Sequence, residues 1–355
     1  MDFVKAWFKR TFSDPQVVIL GLFLLLGSVV VFGLGRYLAP VFASVIIAYL
    51  LEGLVFRLQR AGLPRLPVVI LVYLFFLAIL FFVLFALVPM LTAQLSALIQ
   101  QFPSYINQGQ VLLEQLPERY PQVISEQQIQ RIISNLGEEV AGLGQQVVSW
   151  SLASIASAVG LLIFLVLVPV LVFFLLKDKA GIINWFVSYL PRQRHLVTTV
   201  WIEVEGQIAN YVRGKAGEIV IVGAVSYVTF VALGLQYAAL LATLVGFSVL
   251  IPYVGAAVVT LPIALVGFFQ WGWGWDFGKL MIAYAIIQAL DGNVLVPLLF
   301  SEAVNLHPVA IIVAILVFGG WWGFWGVFFA IPLATLVQAV LKAWPRAIHH
   351  EPEQN

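Results

Sequence analysis

Residues 278–300 read GKLMIAYAIIQALDGNVLVPLLF, an apolar run with one acidic residue, Asp291, near its middle. A helix of about 20 apolar residues crosses the roughly 30 Å hydrocarbon core of a bilayer, so this run is long enough to span a membrane. The seven other runs of this kind are 16–35, 37–56, 66–91, 152–176, 216–235, 238–270 and 308–341. These eight hydrophobic segments predict an all-α polytopic membrane protein.

The composition supports a chain that is surrounded by lipid. Of its 355 residues 62% are hydrophobic and only 10% are charged, whereas an average soluble domain is about 25% charged. This excludes a cytosolic enzyme and a disordered protein. The chain has no cysteine, so it forms neither disulfides nor thiolate metal sites. Its 18 basic and 17 acidic residues offer nucleic acid no basic surface.

The distribution of Lys and Arg predicts the orientation. With both termini in the cytoplasm, 15 of the 18 Lys and Arg residues fall in cytoplasmic segments and 3 outside. We therefore expect cytoplasmic N- and C-termini in a multi-pass protein. The segment Met1–Arg10 carries aromatic and basic residues typical of an interfacial helix, and the first apolar run has the character of a retained span.

Two of the runs, 238–270 and 308–341, are too long for one straight crossing, because each would extend roughly 50 Å as a helix. Each run carries helix-breaking residues near its middle. The residues at the breaks are Pro252, Tyr253 and Gly255 in the first run and Gly320, Gly323 and Gly326 in the second. Two interpretations are open: bent crossings or re-entrant hairpins. We favour six crossings plus two re-entrant hairpins.

Each broken run follows a single span, which suggests an internal repeat offset by about 70 residues. Inverted repeats with paired broken helices are a recurring design of secondary transporters, in which the substrate binds between the breaks. The expected organisation is an N-terminal helix with three spans, an extracytoplasmic helical arm, a fourth span with cytoplasmic amphipathic helices, a transport unit and a cytoplasmic tail. Their boundaries are 1–91, 92–150, 151–215, 216–342 and 343–355.

The two polar interruptions have separate interpretations. Segment 92–150 is rich in glutamine, and it is open to interpretation as an oligomer contact, a vestibule or a solvated loop with short helices; its apolar stripe favours contact with a partner. Segment 177–215 is amphipathic, and its basic residues are typical of anchors at anionic lipid.

The strongest candidate for a functional residue is Asp291, because a carboxylate at membrane depth is costly and usually marks a substrate or ion path. Gln288 precedes it by one helical turn, and Gly292 and Asn293 follow, so we expect a locally irregular helix. The structural alternative is that Asp291 caps a broken helix. The predicted substrate or ion site comprises Asp291, Asn293, Gln288, Pro252, Tyr253, Gly255, Gly320, Gly323 and Gly326.

Glu218 and His307 are candidate relay residues. Glu218 opens the run 216–235, where the helix dipole offers a structural explanation. For His307 the structural alternative is a helix start, because His307-Pro308 would place a proline at the first helical position. The tryptophans at the second break, Trp321, Trp322 and Trp325, favour packing over contact with a ligand.

Motifs for energy transduction or hydrolysis are missing from the sequence. It has no Walker-type phosphate loop, no His/Cys metal cluster and no Gly-x-Ser-x-Gly pattern. We expect no catalytic residue, no metal and no cofactor, and hence a protein that is not an enzyme.

Several stretches carry a resemblance to a known family. They are Gln288-Ala-Leu-Asp291-Gly-Asn293-Val-Leu-Val-Pro297, Val304-Asn-Leu-His307-Pro308, Gly323-Phe-Trp-Gly326, Ile331-Pro332-Leu333 and Ile251-Pro252-Tyr253-Val254-Gly255. In these stretches the chain resembles the bacterial autoinducer-2 exporter family of PerM-type permeases, and the resemblance extends from about residue 16 to 342. It departs from that family at Glu52-Gly53, where a proline is expected, at Lys215, where a polar amide is common, and at Asp291, where glutamate is more frequent.

The resemblance implies a permease of the bacterial inner membrane that is a homo-oligomer, with a pentamer as one candidate. It implies export of a small polar solute such as autoinducer-2, while some related proteins are described as Na⁺/H⁺ antiporters. We expect a secondary transporter that works by alternating access and is a candidate for ion coupling. The alternatives are a Na⁺/H⁺ antiporter and a membrane scaffold that transports nothing.

Overall fold

The computed structural model describes residues 15–35, 37–114, 160–189, 195–252, 254–300 and 306–343, and every regular element within these ranges is helical. The helices are α1 Pro15–Leu34, α2 Ala39–Arg60, α3 Arg65–Phe82, α4 Val88–Glu114, α5 Gly160–Lys177, α6 Lys179–Ser188, α7 His195–Ala232, α8 Ala238–Ser248, α9 Val254–Trp271, α10 Trp275–Leu290, α11 Val296–Phe300, α12 Pro308–Phe328 and α13 Ala330–Ala343. Two π-helical turns, Val83–Leu87 and Asp291–Leu295, join α3 to α4 and α10 to α11.

Six helical segments in the described ranges are long and apolar enough to cross a membrane. They are Ala39–Arg60, Arg65–Val111, Gly160–Lys177, Glu205–Ala232, Val254–Trp271 and Trp275–Phe300. Their length and composition confirm the all-α polytopic fold. The predicted interfacial helix Met1–Arg10 and Tyr253 lie outside the described residues.

Helices α2, α3 and α5 share one apolar core, whose innermost side chains include Val55, Val69 and Val172. At one end of this core the Glu52 carboxylate accepts from Arg65 at 3.4 Å and from Lys179 at 3.5 Å. A single acid therefore ties α2 to the start of both α3 and α6. We name this three-helix unit the scaffold core.

Helices α7 to α10 share a second apolar core, in which Phe230, Leu241, Ile263 and Leu280 are fully buried. The sequence predicted a span beginning at residue 216, but α7 begins at His195 and continues for 38 residues. The amphipathic stretch before residue 216 is part of the same helix, because no proline interrupts the chain between 195 and 232. One helix therefore runs through the boundary predicted at residue 216.

The start of the predicted extracytoplasmic arm differs as well. Residues 92–114 continue the helix that begins at Arg65, and residues 115–150 of the arm lie outside the described ranges. Two glutamines of α4 bind the start of α8: the Leu240 backbone N–H donates to Gln94 Oε1 at 2.9 Å, and the hydroxyl of Tyr237, the residue before α8, donates to Gln101 Oε1. These glutamines hold a neighbouring element in place.

Helices α8 and α9 fold back on each other and form the first hairpin, residues 238–271. At the turn, Gly255 packs against the Ser248 carbonyl so closely that a Cβ atom would overlap this oxygen. At the open end, Gln270 Nε2 donates to the Gly234 carbonyl at 2.8 Å and Gln270 Oε1 accepts from the Gln236 backbone N–H at 2.8 Å. The two helices are therefore antiparallel, and the chain leaves the hairpin beside the point where it enters.

Helices α12 and α13 form the second hairpin, residues 308–343. Gly323 has φ 58° and ψ −134°, which breaks the helix, and a Cβ atom on Gly326 would overlap the Phe318 carbonyl oxygen. The ring of Trp322 packs edge-on against Phe42 of α2 at 5.9 Å. At least this tryptophan of the second break serves packing between the hairpin and the scaffold core.

The two close turns generate a stability prediction. Replacement of Gly255 or Gly326 by alanine forces a methyl group against a backbone carbonyl, and overpacking of this kind costs about 1–3 kcal/mol. Gly278→Ala on α10 is the matched control, because no atom lies within 4 Å of the place that its new Cβ atom would take. Thermal unfolding in detergent should show lower melting temperatures for Gly255→Ala and Gly326→Ala only. Equal melting of all three variants would contradict the tight turns.

Candidate functional site

A cavity of about 620 Å³ lies where α7, the turn of the first hairpin, the π-turn after α10 and the starts of α12 and α13 meet. Lys215 lies 10 residues after Glu205 and 17 before Ala232, and Asp291 lies 16 residues after Trp275 and 9 before Phe300, so each is at least about 13 Å from either end of its membrane-crossing segment by the rise of an α-helix. The cavity therefore lies deep within the membrane-crossing helices.

The centre of the cavity wall is a buried ion pair. The Lys215 ammonium donates to Glu218 Oε2 at 2.7 Å, and the two side chains are only 6% and 2% exposed. The same ammonium donates to the main-chain carbonyl of Val249 at 2.8 Å, in the turn of the first hairpin. The spacing of three residues places both charges on one face of α7, so the pair forms within one helical turn. It also connects α7 to the hairpin turn.

Asp291 and Gln288 face the same cavity from α10 and its π-turn. Asp291 Oδ1 and Gln288 Nε2 are buried, and neither atom has a hydrogen-bond partner among the described residues. Two side chains of the cavity wall, one helical turn apart, thus hold a buried acceptor and a buried donor without partners among the described residues. Pro297 lacks a backbone N–H and helps to explain why the regular helix gives way here, as π-turns often do at functional sites.

Four of the predicted residues meet at this cavity: Asp291, Gln288, Pro252 and Glu218. The explanation of Glu218 by a helix dipole was wrong, because Glu218 lies in the middle of α7 and not at a helix start.

The other predicted residues have different positions. Asn293 turns back along its own helix, where its Nδ2 donates to the Ala289 carbonyl at 2.8 Å. Gly255 closes the turn of the first hairpin behind the cavity wall. Gly320, Gly323 and Gly326 lie at the break in the second hairpin, apart from the described cavity lining.

His307 is exposed and caps α12, since its Nδ1 accepts from the Val309 backbone N–H at 3.2 Å. The prediction of a helix start with Pro308 at its first position is confirmed. The neighbouring residues Leu306 and Pro308 line the cavity.

Sequence reasoning missed Lys215 and Tyr211. Lys215 was counted among the cytoplasmic basic residues, although a lysine three residues before an acid in an apolar helix is a signal for a buried pair. The Tyr211 hydroxyl donates to the Phe328 carbonyl at 3.1 Å and so connects α7 to the second hairpin. Because its partner is 117 residues away, no local pattern indicates this contact.

The arrangement can bind a polar or charged solute at low dielectric. Lys215, Glu218 and Asp291 give the cavity a formal charge of −1 when all three are ionised. Within the described ranges, no group of three His, Cys, Asp or Glu residues is placed to hold a metal ion.

Membrane-crossing helices that enclose a charged cavity beside broken helices define the class of membrane transporters. The family model described as AI-2E family transporter matches residues 18–346, and the chain belongs to this family. The chain is 45% identical over 345 residues to the protein of Escherichia coli (strain K12) named "Putative permease PerM", which covers 97% of this chain and 98% of that protein. This confirms the resemblance.

A second relative is more distant. The protein of Bacillus subtilis (strain 168) named "Putative transport protein YueF" is 28% identical over 311 residues, which covers 85% of this chain and 84% of that protein.

The buried pair generates a second prediction. Lys215→Met or Glu218→Gln alone should cost about 3–5 kcal/mol of unfolding free energy or its equivalent in thermal stability, because each removes one partner of a desolvated pair. The double variant Lys215→Met/Glu218→Gln should recover most of this loss. Lys279→Met is the matched control: its pair with Asp276 has the same spacing but is exposed, and its loss should cost less than about 1 kcal/mol. Additive losses in the double variant would refute the pairing.

Proposed function

We propose that this chain is a secondary transporter of the bacterial inner membrane, which exports a small polar solute such as autoinducer-2 or a related molecule. The observation that carries the proposal is the cavity itself: it lies among membrane-crossing helices, and its wall includes Asp291 and Gln288, which hold a buried acceptor and a buried donor without partners among the described residues. A volume of about 620 Å³ lies within the range of roughly 300–1,000 Å³ of small-molecule sites.

The cavity chemistry favours a solute that both donates and accepts hydrogen bonds. A donor of the solute would satisfy Asp291 Oδ1, and an acceptor would satisfy Gln288 Nε2. Apolar wall residues such as Val249, Val296 and Ile331 would cover the remaining surface.

Ion coupling is the second candidate, and the charges of the cavity favour it. Asp291 interacts electrostatically with Lys215 and Glu218. Binding of a proton or Na⁺ to the Asp291 carboxylate therefore changes the electrostatic potential at Lys215 and Glu218. A Na⁺/H⁺ antiporter would use the same carboxylate as its exchange site.

Alternating access has a structural basis in the two cores. The scaffold core of α2, α3 and α5 and the core of α7 to α10 are separate apolar clusters. Helices α7 to α10 would therefore move as one unit along the surface of the scaffold core. The residues around Tyr211, which join α7 to both the scaffold and the second hairpin, would form the sliding contact. In this proposal the transport unit comprises residues 216–342, and the chain functions as a homo-oligomer with a pentamer as one candidate.

The proposed topology has cytoplasmic termini and two re-entrant hairpins. Support comes from the first hairpin, whose two ends are joined by the hydrogen bonds of Gln270. The chain therefore enters and leaves this hairpin on the same side. The second hairpin would enter from the opposite side of the membrane.

Single cysteines test this topology, because the natural chain has none. Trp273→Cys, in the exposed loop after the first hairpin, should react with an impermeant maleimide from the periplasmic side. Leu306→Cys should react only after the inner membrane is permeabilised. Labelling with the opposite pattern would show that the hairpins are bent crossings.

Flux in proteoliposomes tests the function. Imposed Na⁺ and pH gradients should drive changes in internal pH or uptake of a radiolabelled pentose by the wild type, and Asp291→Asn should reduce this flux roughly 100-fold, as expected for loss of a group that binds cargo or a coupling ion. Asp276→Asn is the matched control, because the same change falls on an exposed residue of α10. Equal flux in the wild type and Asp291→Asn would refute the assigned site.

A further inference from the structure

The Lys215 ammonium occupies a position whose surroundings suit a metal cation. One oxygen comes from the Glu218 carboxylate and another from the main-chain carbonyl of Val249, just past the end of α8. Backbone carbonyls at the C-terminal ends of broken helices coordinate Na⁺ in transporters of broken-helix design. The ring of Phe300 lies 5.3 Å from the ammonium and adds a further face that favours a cation.

We propose that Lys215 is a tethered cation, which fills the cation position of the cavity and holds the turn of the first hairpin against α7. This inference rests on the proposed function, since it assigns the cavity as the transport site. It follows that this position takes no Na⁺ in the natural chain. The cargo or coupling ion then interacts with Asp291, the carboxylate that Lys215 does not bind directly.

A cation is needed at this position because the buried oxygens of Glu218 and Val249 are energetically costly without one. Glu218 is nearly completely buried, and removal of the ammonium leaves its charge uncompensated at low dielectric. The Val249 carbonyl would lose its donor at the same time. Either the hairpin turn moves away from α7 and admits water, or an external monovalent cation replaces the ammonium.

Accessibility of the hairpin turn to a thiol reagent tests the proposal in the full-length protein. Ile251→Cys places a single thiol in the cavity wall next to the turn. Its rate of modification by a methanethiosulfonate reagent is measured in proteoliposomes at equal ionic strength in choline chloride or NaCl. The backgrounds are the natural Lys215, Lys215→Met, and Lys215→Met/Glu218→Gln. Asn107→Cys, exposed on α4, is the control for direct effects of salt on the reagent.

With Lys215 present, the rate should be the same in both salts. In Lys215→Met it should be roughly tenfold higher in choline, because loss of the charge shifts the turn toward an open state, and Na⁺ should lower it in a saturable manner. In the double variant the two salts should again be equivalent, because the carboxylate ligand is gone. A Na⁺ effect with Lys215 present, or none in Lys215→Met, would overturn the proposal.

Stability provides the readout if Lys215→Met folds poorly in choline. NaCl should then raise the melting temperature of Lys215→Met and leave the wild type and the double variant unchanged; equal responses of all three would overturn the proposal. Failure here is distinguishable from failure of the proposed function, because neither measurement requires flux. If labelling of Lys215→Met depends on Na⁺ but the protein shows no flux, the role of Lys215 as a tethered cation is supported and only the proposed transport function is refuted.

Discussion

The buried contact of Lys215 with Glu218 and with the Val249 carbonyl is the constraint on which the site depends. Charges within a bilayer must be paired or surrounded by protein, because their desolvation otherwise costs several kcal/mol. Glu218 fixes the position of the ammonium along α7, and the ammonium in turn fixes where the first hairpin must end. The cavity forms beside this contact, where the chain turns between α8 and α9.

The close turns of the two hairpins make such a contact possible. At Gly255 and Gly326 the backbone passes against a carbonyl of the preceding helix, which leaves no room for a side chain. The chain can therefore reverse within a few residues. The hydrogen bonds of Gln270 close the other end of the first hairpin, so the turn is held from both sides.

Much of this architecture follows from the sequence alone. The length and low charge of the apolar runs predicted the membrane-crossing helices. Pro252, Gly255 and Gly323 predicted the breaks, because proline and glycine disturb a helix within a few residues of their own position. Lys215 could not be assigned in this way. Counting basic residues places a lysine near the end of an apolar run at the membrane surface, and only the return of the chain at Val249 shows that it is buried. The extension of α7 to His195 was missed for a related reason: a change from apolar to amphipathic composition alters the surroundings of a helix without ending it.

The energetics of the cavity argue against a purely structural role. The carboxylate oxygen of Asp291 and the amide nitrogen of Gln288 are buried without partners in the described structure, and each such group costs about 1–3 kcal/mol. A scaffold requires only the packing of its helices, and apolar residues at both positions would stabilise it more. The two side chains lie one turn apart in the wall of one cavity, so a single solute with a donor and an acceptor that reached both atoms would remove both costs. Because the nearby ammonium is already held by Glu218, Asp291 remains the charged group with a free oxygen for such a solute.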